Sequence, residues 1–249
     1  MYDYEYDIAE AEQEWFECIE MMKDFTFIDS EHYINRSLRD NKRILAEGAQ
    51  GTMLDIDFGS YPYVTSSNTI CAGTCTGLGI APSSIGEVLG VFKAYCTRVG
   101  SGPFPTELSD QTGDKLRKEG NEFGSTTGRP RRCGWIDLVA LKYAIMLNGI
   151  TQLVMTKADV LDAFETINVA TAYKVGDDLI EDFPYSIDRE IEPVYKELSG
   201  WNTSLVDVRI ADDFPPQFKA FIDFLESELQ VPVRFVSVGP DREQIIQLS

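Results

Sequence analysis

Three features of this sequence predict an α/β fold, with a mostly parallel sheet flanked by helices and long ordered ligand-binding loops. Short apolar runs rich in β-branched residues alternate with stretches of helical periodicity, the pattern of strand–helix–strand units. A glycine-rich turn follows one candidate strand directly, where open α/β sheets hold their ligands. Two long polar stretches, 55–79 and 98–134, lack periodicity. Aromatics such as Phe58, Tyr61 and Tyr63 favour order in the first of them.

The elements follow in order. Ile8, Trp15, Cys18, Ile19, Met22 and Phe25 recur near helical spacing, so 9–25 reads as an amphipathic helix. Residues 43–46 are a short buried-strand candidate running into Gly48 and Gly51, where glycine allows backbone to approach a ligand closely. Ser84 and Glu87 have capping-box spacing and predict a helix through about Tyr95. A helix is expected over 135–147 and strands over 150–156 and 169–175. Pro215 and Pro216 introduce a helix carrying Phe218, Phe221, Ile222, Leu225 and Leu229, and 231–238 is a last strand. No repeat or composition break divides the chain, so 1–249 is read as one unit.

A net charge of −19 argues against a nucleic-acid partner, because such binders spread Lys and Arg over a wide face. It does not exclude a small anion, since the nearest charges set the field at short range. Arg129, Arg131 and Arg132 supply such a local cluster. No apolar run is long enough to span a bilayer, and the acidic, aromatic start is unlike a signal peptide. A cytoplasmic protein with no membrane partner is expected. The five cysteines are scattered and suit reduced thiols. His32, the single histidine, stands in a polar stretch and reads as a surface residue. No metal ligand set is evident.

Three motifs carry chemistry. Thr156-Lys157-Ala158-Asp159 ends the strand 150–156. A carboxylate there can accept from guanine N1–H and the exocyclic amine, an edge that adenine cannot offer. The same residues also suit a helix start with Asp159 near its N-terminus. Ser125 to Arg132 combines hydroxyls, a glycine and three guanidiniums that fit carboxylate or phosphate oxygens, or else form a solvated charge run. Gln50 could meet a purine edge and Thr65 a phosphate, although both segments also read as polar turns.

Taken together, EGAQGTMLDIDFGSYPYVTSSNT (47–69), KAYCTRVGSGPFPTEL (93–108), GNEFGSTTGRPRRCGWIDLVAL (120–141), TKADVLD (156–162) and SVGPDR (237–242) closely resemble stretches of the adenylosuccinate synthetase family. That resemblance implies a P-loop-NTPase-like fold and a ligase that joins IMP to L-aspartate with GTP and magnesium, working as a homodimer. Carried over by position, it implies IMP contacts at Gln50, Thr65, Val99 and Arg129. It implies aspartate contacts at Ser125, Thr126, Thr127, Gly128, Arg129 and Arg131. For GTP it implies Arg131, Lys157, Asp159, Ser237 and Gly239. The family's glycine-rich GDEGKGK loop, with its catalytic Asp, and the catalytic His that follows have no counterpart in these residues. The chain is therefore expected to be the carboxy-terminal portion of such an enzyme, incomplete and inactive alone, with the magnesium ligands elsewhere. A non-catalytic guanine-nucleotide-binding fragment or a degenerate remnant are the alternatives.

Overall fold

The structure is a computed structural model that describes residues 6–124, 126, 128–185 and 191–248. In chain order the helices and strands are α1 (Ile8–Met22), α2 (Ser30–Arg39), α3 (Ala72–Leu78), β1 (Leu89–Lys93), β2 (Cys96–Arg98), α4 (Gln111–Glu119), β3 (Arg132–Gly134) and β4 (Ile136–Asp137). They continue with α5 (Leu138–Asn148), β5 (Gln152–Thr156), β6 (Thr166–Val175), β7 (Asp178–Ile180), β8 (Glu192–Ser199), α6 (Pro216–Leu229), β9 (Val233–Ser237) and β10 (Ile245–Gln247).

The main sheet has the order β1-β5-β9-β10. Its first three strands are parallel, and β10 closes the edge antiparallel to β9. A second sheet is built around β6, with β4 parallel to it and β7 and β8 antiparallel. β2 and β3 form a small antiparallel ribbon. Helix α6 lays Phe218, Phe221, Ile222, Leu225 and Leu229 into the core, as its spacing predicts. There Trp201 meets Phe218 edge-on at 4.7 Å, and Phe214 does so at 4.8 Å. Such pairs add about 0.5–1.5 kcal/mol each beyond area burial.

Four expectations change. The Ser84 capping box does not open a helix: Pro82–Ser84 make a single 3-10 turn and the chain then runs out as β1. Pairing with β5 wins over local propensity, and Glu87 turns to the Thr151 hydroxyl at 2.6 Å. Residues 43–46 are irregular rather than a strand, and Leu45 is 85% exposed, with no neighbouring strand to pair with among the described residues. The 55–79 stretch contains α3, a run of small residues closed by Gly79 in the left-handed region at φ 65°. The 98–134 stretch contains α4, whose only large buried side chain is Leu116, too weak a period to register. Helix α1 forms as expected but buries none of its residues. Among the described residues, no helix is long and apolar enough to cross a membrane.

Candidate nucleotide site

The carboxyl ends of the three parallel strands lie side by side, and each delivers a polar residue. β1 ends in Lys93, β5 leads into Lys157 and Asp159, and β9 ends in Ser237 just before Gly239. Lys157 takes the left-handed conformation, φ 58°, and turns the chain sharply into a 3-10 helix, Ala158–Leu161. Asp159 thus sits in the first turn of a short helix directly after a strand end. Burial pushes its carboxyl above the usual range, against its own backbone N–H and Lys157.

On the β9 side, the Ser237 hydroxyl donates to Gly239 O at 2.9 Å. A Cβ at Gly239 would stand 2.2 Å from Gln244 Oε1. That amide is committed twice: it accepts from Asp241 N at 3.0 Å, completing a capping box, and donates to Val206 O at 3.0 Å. Asp162 anchors the facing loop, accepting from Trp201 Nε1 at 2.7 Å and Leu205 N at 2.9 Å.

Next to this pocket lies a buried carboxylate that the sequence did not single out. Glu122 is fully buried. Its Oε1 accepts from Lys93 Nζ at 2.7 Å and Tyr95 OH at 2.6 Å, with Lys157 Nζ at 3.2 Å. Its Oε2 accepts from Arg131 Nη1 at 2.6 Å. Burial opposes the charge, but the bonds from Lys93, Tyr95 and Arg131 win and hold its pKa down to about 2. Lys157 also donates to Gly120 O. Three cations around one anion leave a local positive excess in an acidic protein.

That excess borders a cleft of about 600 Å³. Gln50 and Val99 line it, together with Lys93, Arg98 and Arg131. Gln50 is itself in the left-handed region, φ 68°, beside Gly51. The 51–70 loop beneath is organised by Asp55, which accepts from the backbone N–H of Asp57, Phe58, Thr69 and Ile70. Burial would raise its carboxyl, but these four bonds hold it below the usual range. Helix α5 clasps the same loop through Asn148, which donates to Thr52 Oγ1 at 3.0 Å, and Tyr143, which donates to Phe58 O at 3.0 Å. Thr65 is half-buried, its N–H on Leu54 O at 2.9 Å, and lies outside the cleft lining.

The arginine segment divides by task. Ser125 and Thr127 lie outside the described residues, while Thr126, Gly128 and Arg129 are exposed. Gly128 takes φ 64°, and its N–H reaches Gly124 O at 2.8 Å. Arg131 is held by Glu122. Arg132 is a brace: it pairs with both oxygens of Glu107 and donates to Gly100 O and Gly102 O, fixing the loop that carries Val99. Arg98 ties that loop to the next through Ser60 Oγ at 3.1 Å and Tyr63 O at 3.2 Å. Of the sequence-predicted residues, Lys157, Asp159, Ser237 and Gly239 gather at the strand ends and Gln50, Val99 and Arg131 at the cleft, whereas Thr65, Thr126, Gly128 and Arg129 are not in its lining. Sequence reasoning missed Glu122, Lys93, Tyr95 and Arg98, and the one available signal was a lysine closing an apolar strand.

A sequence model described as adenylosuccinate synthetase matches residues 1–246. The adenylosuccinate synthetase of Parabacteroides distasonis is 64% identical over 244 residues, covering 98% of this chain and 58% of that protein. The Bacteroides thetaiotaomicron protein is 62% identical over 245 residues with the same coverage. Among solved structures, fully ligated adenylosuccinate synthetase from Plasmodium falciparum superposes with a TM-score of 0.92 at 39% identity, over 98% of this chain and 59% of that one. The succinoaminodeoxyadenylate synthetase of cyanophage S-2L, at TM-score 0.55 and 20% identity, shares the fold alone. The chain spans 58% of the length of the curated relatives it matches. By sequence along nearly its whole length and by superposition, the chain belongs to the adenylosuccinate synthetase family.

Proposed function

We propose that this chain is the nucleotide- and aspartate-gripping part of a C–N-forming ligase that converts IMP, L-aspartate and GTP into adenylosuccinate, GDP and phosphate. The observation that carries the reading is the placement of Lys157 and Asp159 at a strand end beside a cation-rich cleft. In the proposed reaction, GTP phosphorylates the purine 6-oxygen. The aspartate nitrogen then attacks C6, and the phosphate leaves with that oxygen.

The residues divide the work by their chemistry. Asp159 accepts from guanine N1–H and the 2-amino group, and these donors favour the ionised carboxylate that burial disfavours. The Lys157 stem lies along the base, while Ser237 and Gly239 close the pocket. In the cleft, Gln50 reads the hypoxanthine edge, Val99 borders the ribose and Thr65 takes the IMP phosphate. Residues 125–131 close over aspartate, with Arg129 bridging it to IMP. Arg131 reaches the GTP phosphates, where a fixed guanidinium offsets the charge that builds up in phosphoryl transfer.

Magnesium would supply a further positive charge on the transferring phosphates. Among the described residues, no group of three or more His, Cys, Asp or Glu stands together to hold it. Because these residues include no counterpart of the family's phosphate loop and catalytic Asp and His, we propose that the 249-residue chain alone binds but does not turn over. A homodimeric assembly and a cytoplasmic location belong to the same reading.

The test is adenylosuccinate formation from IMP, aspartate, GTP and magnesium, with and without the part of the Parabacteroides distasonis relative that this chain does not cover. Turnover only in the mixture is expected. Turnover by the chain alone would refute the division of labour. A silent mixture of folded components that still bind GTP would favour a non-catalytic guanine-nucleotide-binding module.

A further inference from the structure

We propose that Glu122 is a positioning residue, a single buried carboxylate that sets the base pocket and the cleft relative to one another. The inference rests on the functional reading above, because it assigns Lys157 to the guanine nucleotide and Arg131 to the phosphates.

The geometry is that of a junction. Glu122 lies just after α4, on no strand of either sheet. Its two oxygens meet side chains from three separate parts of the chain: the end of β1 with Tyr95 behind it, the turn after β5, and the arginine segment before β3. Its own backbone carbonyl accepts from Arg131 N at 2.9 Å, so Arg131 is fixed at both ends. Tyr95 is 1% exposed and donates to this carboxylate, holding it from the buried side. The cations, by contrast, keep part of their surface open: 27% for Lys93, 33% for Arg131 and 37% for Lys157. A dry anion with partly wet cations around it preorganises positive charge towards the open side. A flexible lysine or arginine tethered in this way loses little further freedom when a ligand arrives.

A merely structural ion pair would also be buried, so the test must read more than stability. GDP affinity of the folded chain is measured for wild type, Glu122→Gln, Lys157→Met and the double variant. If Glu122 acts through Lys157, Glu122→Gln weakens GDP about tenfold and adds little once Lys157 is gone, as coupled contacting residues behave. A structural role gives the same loss in both backgrounds. Glu122→Gln leaves three cations facing one another and could fail to fold. Repeating the Glu122→Gln and Lys157→Met comparison in a Lys93→Met background removes that imbalance and asks the same question.

A ligand-free readout separates this inference from the function. Burial lowers the Lys93 pKa and Glu122 raises it again, against Lys157 and Arg131. Acylation of Lys93 by an N-hydroxysuccinimide ester near pH 8, read by mass spectrometry, should quicken severalfold in Glu122→Gln, since only the neutral amine reacts. Wild-type GDP binding with no loss in Glu122→Gln overturns the positioning role and leaves the function standing. No GDP binding with quickened acylation overturns the functional reading and with it the nucleotide role of Glu122, though the carboxylate still holds Lys93. Neither effect overturns both.

Discussion

At the scale of single residues, the proposed base recognition rests on Asp159. A carboxylate has only acceptors, and guanine presents two adjacent donors to it, so replacing one oxygen by an amide sets donor against donor. Asp159→Asn is expected to weaken GDP binding about 10- to 100-fold in calorimetry, the loss of charged hydrogen bonds, while leaving the melting temperature nearly unchanged. Asp55 should behave oppositely. It accepts four backbone N–H groups inside the 51–70 loop, and Asn can satisfy only part of that set. Asp55→Asn is expected to cost about 2 kcal/mol in denaturant unfolding. Asp159, Gln50 and the arginine segment could be singled out in the sequence as candidates because they stand in contiguous motifs, and the roles proposed for them come from the family resemblance. Glu122 was not legible. Its partners Lys93, Tyr95, Arg131 and Lys157 converge on it from separate segments, and no local spacing announces that meeting.

At the scale of elements, segments with a strong apolar pattern were read correctly and those without one were not. Helix α6 carries five buried side chains at helical spacing, and strands β5, β6 and β9 are apolar enough to stand out. β1 was misread as helix because Ser84 and Glu87 mimic a cap. Pairing with β5 decides it, and at Gly90 a Cβ would lie 2.6 Å from Ile150 Cδ1. Two other glycines make close approaches that can be tested. At Gly134, a Cβ would come 2.1 Å from Thr106 O, a backbone atom that cannot step aside. Gly134→Ala is expected to cost about 2–3 kcal/mol by forcing β3 away from it, read as a lowered unfolding midpoint. At Gly239 the obstacle is the Gln244 side chain, which can move only by leaving its cap. Gly239→Ala should therefore cost less, about 1 kcal/mol, and weaken GDP more than it weakens the fold.

At the scale of the whole molecule, an acidic chain of net charge −19 concentrates cations at one set of strand ends. That arrangement has a pH signature. The Glu122 carboxyl is held at about 2 rather than 4.5, so the stability it contributes is complete above about pH 4.5 and is lost as pH falls towards 2. Asp137, raised by burial despite its bond from Tyr173, works in the other direction and is relieved by acid. Subtraction isolates the first effect. The stability difference between wild type and Glu122→Gln should shrink as the pH of denaturant titrations is lowered from about 6 to about 3. The α/β class was visible in the sequence, as were β5 and β9 of the main sheet and β6 of the second, whereas β1, β10 and the antiparallel partners of β6 were not. Those partners, β7 and β8, are short or strongly exposed and acquire their pairing only from β6.

The most direct test of the account is a calorimetric titration of the folded chain with GDP and, separately, with ADP. Asp159 at the strand end predicts saturable GDP binding, with ADP weaker by at least about tenfold because its base turns the wrong groups to the carboxylate. Equal affinity for the two, or no GDP binding by folded protein, would contradict the assignment of this site to a guanine nucleotide.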